Sequence, residues 1–187
     1  NLTCQRVNAA GLANRITVLM EDYRHLTGQY DKLISIEMIE AIGHEYYATY
    51  FKKCATLLKP QGMMLIQAIT MADQRYEQAK RSVDFIQRYI FPGGCLPSVS
   101  VMLDNMTRHS DMRLFHMEDI GPHYATTLRK WHANVKANLP HIKALGYSDT
   151  FLRMWDYYLC YCEGGFMERS IGTVQMLLMK PDCRNDP

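Results

Sequence analysis

Glu40 stands where the apolar spacing of "ISIEMIEAIGHEYYATYF" (residues 34–51) changes period. Its first half reads as a buried strand and its second half, from Gly43, as an amphipathic helix. A carboxylate at such a junction is favoured by the helix dipole and needs no catalytic explanation by itself. It is also placed where open α/β sheets bind their ligands, outside the carboxyl ends of the strands. Glu21 and Asp22 close the run "RITVLMED" (15–22), and Gln67 with Ile69 close "MMLIQAI" (63–69), so these residues share that location. "HEYYA" (44–48) begins like an HExxH zinc motif, but Ala48 removes the second histidine, and no metal site is expected. His109, His116, His123 and His132 share no ligand spacing and read as surface or capping residues. Cys160-x-Cys162 lacks the spacing of a zinc or redox pair, so the six cysteines read as reduced thiols packed as small hydrophobes in a reducing cytoplasm.

The elements that must carry these groups follow from periodicity. Residues 3–10 read as the end of a helix stopped by Gly11, and 15–22 as a strand. "YDKLISIEMI" (30–39) is a second strand, and Tyr47, Tyr50, Phe51, Cys54, Leu57 and Leu58 recur at helical spacing. "LKPQG" (58–62) stops that helix, and the apolar run 63–69 is a strand covered on both faces. Strand, helix and strand with short connections make a βαβ unit, hence an α/β architecture with a mainly parallel sheet. Tyr76, Ala79, Val83, Ile86 and Ile90 mark a helix broken at Pro92-Gly93-Gly94, and 96–109 a second one with Ser98 as its cap. Residues 71–110 are thus expected to be a helical insertion between strands, large enough to suggest a lid. Strands are expected over 112–121 and 171–180. Between them, one helix is marked by Leu128, Trp131, Val135 and Leu139, and another by Phe151, Trp155, Tyr158, Leu159 and Cys162.

The chain of 187 residues is 48% hydrophobic with a formal net charge of +2, which fits one globular domain, residues 1–187. Its 21 basic and 19 acidic residues nearly balance, so a nucleic-acid partner is not expected. No apolar run suggests a membrane span, and the first residues do not read as a signal peptide.

Four stretches resemble the cyclopropane-fatty-acyl-phospholipid synthases, methyltransferases related to the mycolic acid cyclopropane synthases. They are "IEMIEAIGHEYYATYFKKCATLLKPQGMMLIQAIT", "FIQRYIFPGGCLPS" (85–98), "GPHYATTLRKWHANV" (121–135) and "YYLCYCEGGFMERSIGTVQMLLM" (157–179). The resemblance implies a Rossmann-like class I methyltransferase fold, with the insertion 71–110 as an acyl-site lid. It implies S-adenosylmethionine as cofactor and methyl transfer to the cis double bond of unsaturated phospholipid acyl chains, giving cyclopropane fatty acids. It also implies a bicarbonate ion that takes a proton from the intermediate cation. The positions matching the family's bicarbonate ligands are Glu40, Tyr124, Gln67 and Ile69, with Gln67 standing where the family has His. Gln can donate a hydrogen bond there but cannot carry charge or shuttle a proton.

Glu21 and Asp22 match the position that contacts the adenine amino group. The family's glycine-rich turn, its ribose-binding acid and its active-site Cys have no counterpart in this chain, so the resemblance implies the carboxyl-terminal part of a longer enzyme, lacking the first strands. With those strands gone, strand 15–22 is expected to expose an unpaired edge. Further expectations are a cytoplasmic enzyme lying peripherally at the inner face of the membrane, with Arg75, Lys80, Arg81 and Arg88 toward anionic headgroups. A homodimer is left open. Alternatives are a methyl- or methylene-branched product, another small-molecule substrate, or a lipid- or partner-binding module without cofactor.

Overall fold

A computed structural model describes residues 2–184 of the chain. Helix α1 (Leu2–Ala9) comes first, followed by turns and chain without regular structure. Strand β1 (Tyr30–Ile36) then leads through two short 3-10 turns into α2 (Tyr47–Leu57) and the long β2 (Leu58–Met71). Helices α3 (Asp73–Lys80), α4 (Phe85–Tyr89) and α5 (Val99–His109) precede β3 (Arg113–Asp119). Helices α6 (Gly121–Ala137), α7 (Leu139–Ala144) and α8 (Asp149–Met167) precede β4 (Ile171–Met179).

The sheet has the order β1-β2-β4-β3. β1 and β2 are parallel, whereas β4 runs antiparallel to both β2 and β3, so three strands share a direction and β4 alone is reversed. Alternation along β2 sends Met64, Ile66 and Ala68 to one face, where Tyr50, Phe51 and Cys54 of α2 and Met102 and Met106 of α5 cover them. Burying one such large apolar side chain contributes about 1.5–3 kcal/mol, and Tyr50 keeps its hydroxyl satisfied by donating to Ser35 Oγ at 2.7 Å. The opposite face of β2 carries Leu65, Gln67 and Ile69. There Ile69 packs with Tyr124, Leu128, Leu159 and Phe166 from α6 and α8. On that same face of β1, Ile34 and Ile36 are 67% and 51% exposed.

Several sequence expectations change. Residues 15–22 form no strand: the chain there has no regular structure and ends in a 3-10 turn at Tyr23–His25 capped by Asp22. A strand needs a ladder, and among the described residues none pairs there; the unpaired edge belongs to β1 instead. β1 stops at Ile36 rather than continuing to residue 39, because Glu37 takes a left-handed conformation. β2 begins at Leu58, the register shift between Tyr30 and Lys32 absorbing "KPQG". The helix expected across 76–90 is two, since Asp84 forms a capping box with Gln87 and starts α4. α6 starts at Gly121, inside the stretch 112–121 expected to be a strand. The segment 71–110 divides: α5 and Tyr76 of α3 belong to the core, while α4 and the turn after it lie at the rim. Ser98 does cap α5, accepting from the Val101 N–H.

Candidate active site

At the carboxyl end of β1 the backbone of Glu37 turns at φ +50°, its N–H donating to Gln67 O at 2.8 Å. Holding a non-glycine residue in the left-handed region costs about 1–2 kcal/mol, a strain typical of functional positions. The Glu37 carboxylate is gripped from two distant parts of the chain. Tyr124 O–H donates to its Oε2 at 2.9 Å and Gln67 Nε2 donates to its Oε1 at 2.9 Å. Gln67 is oriented in turn by Gln175 Nε2, which donates to Gln67 Oε1 at 2.8 Å. Strand register makes this row, since Ile36 pairs with Gln67 and Gln67 with Gln175.

Three residues beyond Glu37, Glu40 sits in the first of the 3-10 turns. Its Oε1 accepts from Ile69 N–H at 2.5 Å, while its Oε2 is buried without a hydrogen-bond partner among the described residues. Thr173 Oγ1, on the β4 residue paired with Ile69, is the other such buried atom. Burial pushes the Glu40 carboxyl above its ordinary value, and the neighbouring Glu37 charge pushes the same way. The insertion is fastened to Glu40 through the backbone. Cys95 N–H donates to Glu40 O at 2.8 Å, Tyr47 O–H donates to Cys95 O at 2.8 Å, and Gln87 Nε2 donates to Gly94 O at 2.9 Å. A Cβ at Gly94 would lie 3.1 Å from Phe91 O, so a larger residue would have to push that backbone aside by a few tenths of an ångström, and glycine lets the turn sit close to Glu40 without it.

Aromatic rings wall the carboxylates. Tyr124 stacks on Phe166 (4.7 Å between centroids) and meets the edge of Trp131. Tyr158 lies against Trp155 and Phe91, and burial together with the nearby Cys162 and Glu37 pushes its phenol up to about 12. Among the described residues no Lys or Arg pairs with Glu37 or Glu40. Two carboxylates and several π faces without a cation form a site suited to stabilising positive charge.

The four positions matched to bicarbonate are therefore divided into two pairs. Glu40 meets Ile69, whereas Gln67 and Tyr124 meet Glu37, a residue that sequence patterns do not single out. As arranged, they do not fit bicarbonate. The Tyr124 hydroxyl, the Ile69 amide and one Gln67 N–H already serve protein carboxylates, and a further anion about 4 Å from Glu37 would be repelled by about 4 kcal/mol at an effective dielectric of 20. The signals that could have pointed to Glu37 are its place at the strand end and its spacing of three from Glu40.

Of the acids matched to the cofactor, Asp22 is committed to its own turn. Its oxygens accept from Arg24 N, Nε and Nη2, which holds its carboxyl well below the usual carboxylate range. Glu21 is exposed, and its carboxylate fits an amino-group donor. Away from the site, His132 Nε2 lies 2.5 Å from Asp156 Oδ1, with Cys160 Sγ 3.9 Å from His132 Nδ1. Lys136 stands 4.0 Å from the same Asp156 oxygen, so His132 bridges α6 and α8 within a surface charge cluster.

Comparison with known proteins matches residues 1–176 to the family model described as mycolic acid cyclopropane synthetase. The tuberculostearic acid methyltransferase of Mycobacterium tuberculosis is 39% identical over 96% of this chain and 42% of its own length. The cyclopropane-fatty-acyl-phospholipid synthase of Escherichia coli K12 is 37% identical over 88% of this chain and 41% of its own. The chain thus spans about two fifths of these relatives. Among solved structures, mycolic acid cyclopropane synthase CmaA1 complexed with SAH and CTAB superposes with a TM-score of 0.80 at 27% identity, over 94% of this chain and 67% of that one.

Proposed function

The chain belongs to the mycolic acid cyclopropane synthetase family and has its class I methyltransferase fold, and on that premise we propose that it acts in S-adenosylmethionine-dependent methylation of unsaturated phospholipid acyl chains at a cis double bond. When bound, S-adenosylmethionine supplies an electrophilic methyl on a positive sulfur. Glu21 would accept from the adenine amino group. The alkene is a weak nucleophile, so the site's task is to stabilise the positive charge that appears on the acyl chain. The observation that carries this reading is the pair of carboxylates, Glu37 and Glu40, with no basic partner among the described residues and walled by Tyr124, Tyr158 and Phe166. These rings also keep the site apolar and limit access of water that would trap the cation.

Loss of a proton from the acyl cation closes a cyclopropane ring in the first reading. A second reading, a methylene- or methyl-branched chain, is favoured by Gln67, an amide that can neither carry charge nor shuttle a proton, and by the likeness to the 39% identical tuberculostearic acid methyltransferase. For membrane placement, no described helix is long and apolar enough to cross a bilayer. The rim of the insertion exposes Val83, Tyr89 and Phe91 beside Arg88, which stacks on Tyr89. Arg75 is the other cation left for headgroups, as Lys80 and Arg81 both pair with Glu77. That chemistry suits a peripheral enzyme at the inner, anionic face of the membrane.

The test is mass spectrometry of lipids from cells expressing the full-length protein. Acyl chains should gain one CH2 unit. Mild hydrogenation then leaves a ring intact and saturates a methylene branch. Unchanged lipids, with no transfer from methyl-labelled S-adenosylmethionine in extracts, would refute the reading.

A further inference from the structure

We propose that Glu37 is the site's own proton acceptor, occupying the role that the family resemblance gives to bicarbonate, with Tyr124, Gln67 and Gln175 as the residues that position it. The inference rests on the reading above, in which a cation forms on the acyl chain. Its basis is the hydrogen-bond network. Each Glu37 oxygen accepts a single bond, from Tyr124 O–H or from Gln67 Nε2, which leaves a lone pair on each oxygen. Gln175 fixes the Gln67 amide so that its NH2 must point at Glu37. The backbone is held at φ +50° to deliver this side chain, a conformation that serves no helix or strand. Glu40 suits the task less well. Its Oε1 is tied to Ile69, and burial and the adjacent charge of Glu37 both favour its neutral form.

The step balances on the acyl chain. The alkene π pair forms the bond to the incoming methyl, and the bond from that methyl to sulfur breaks with its electrons on sulfur, which leaves as the neutral thioether. For the ring, a C–H bond of the transferred methyl then breaks and its electron pair forms the C–C bond to the cationic carbon. For the methylene branch, the hydride on the methyl-bearing carbon first shifts to the cationic carbon, and the pair of a methyl C–H bond then forms the C=C bond. In both cases the proton passes to a Glu37 carboxylate oxygen and afterwards to water. No external base is required.

The full-length protein is assayed with unsaturated phospholipid vesicles in buffer stripped of carbon dioxide, with and without added bicarbonate. Wild-type turnover should be the same in both. Glu37→Gln should lower kcat by about 10²-fold or more, the usual worth of a general base, and bicarbonate should not restore it. Glu37→Gly frees the Tyr124 and Gln67 donors and relaxes the turn, so added bicarbonate should restore its rate saturably. Binding of isotope-labelled bicarbonate, followed by NMR, should be seen for Glu37→Gly and not for the wild type. Calorimetric binding of S-adenosylhomocysteine reports on folding. Wild-type turnover that collapses without bicarbonate, labelled bicarbonate bound by the wild type, or full kcat in Glu37→Gln would overturn the proposal. Should Glu37→Gln not fold, the glycine variant decides. Should no lipid be methylated at all, the functional reading fails, while the binding contrast still decides whether Glu37 excludes bicarbonate.

Discussion

Replacing Glu40 by Gln should stabilise the protein at alkaline pH while impairing methyl transfer. The Glu40 Oε1 bond to Ile69 N–H survives in the amide, but Oε2, which is buried without a partner among the described residues, loses its share of a negative charge. The amide Nε2 put in its place is equally unpaired, so what changes is the charge: a buried unpaired carboxylate costs more than a neutral polar group, by about 1–3 kcal/mol, and repulsion from Glu37 adds to that. The folded protein holds the Glu40 proton more tightly than the unfolded chain, whose carboxyl has the ordinary value of 4.5. The proton-linked stability is therefore complete below that value and is lost as pH rises through the higher, folded value. Glu40→Gln should be more stable than wild type by about 1–3 kcal/mol at pH 8, roughly 0.5–1 M in urea midpoint, and near equal at pH 4. Urea unfolding of the full-length pair at several pH values measures this, and other titrating groups cancel in the difference. A variant no more stable than wild type at pH 8, or a gap independent of pH, would refute the account of Glu40 as a strained buried charge.

Three further outcomes are expected. Tyr124→Phe keeps the stack on Phe166 but deletes the donor to Glu37, so kcat should fall about 10²-fold with S-adenosylhomocysteine affinity unchanged in calorimetry. Met102→Ala empties a fully buried position between α2, α5 and the sheet, and should cost about 2–5 kcal/mol in urea unfolding. Reversing Arg75 and Arg88 to Glu should weaken sedimentation with anionic vesicles by about 1 kcal/mol per residue; equal binding to neutral vesicles, or no response to salt, would count against headgroup contact.

How much of this was readable in the sequence depends on the range of the interaction. The βαβ unit was legible because α2 shows its apolar face at helical spacing and β2 is apolar on both sides. Segment 15–22 has the composition of a strand without forming one, because composition reports what a strand is made of and not whether a neighbour exists to pair with it. The reversal of β4 left no local trace, since "IGTVQMLLM" is as apolar as a parallel strand and its direction is set by the α6–α8 connection. Within the site, Glu40, Gln67, Ile69 and Tyr124 were legible as positions, but their partners were not. Glu37 meets Gln67 across 30 residues and Tyr124 across 87, distances over which no sequence spacing carries information.

The same network gives a physical reason to read Glu37 and Gln67 together. A histidine in place of Gln67, charged or neutral, would put a titrating ring beside the Glu37 carboxylate and compete with the cation for it. A glycine in place of Glu37 would leave Tyr124 O–H and Gln67 Nε2 pointing into space that a small anion could fill. An uncharged amide, locked by Gln175, instead donates to Glu37 without neutralising it. The negative charge is thereby kept on the protein and reserved for the acyl cation, and the two residues form one device whose parts lose their purpose when exchanged singly. In a double-mutant cycle, Glu37→Gly and Gln67→His should therefore be strongly non-additive in kcat. Additive losses would mean that the hydrogen bond joining them contributes packing alone.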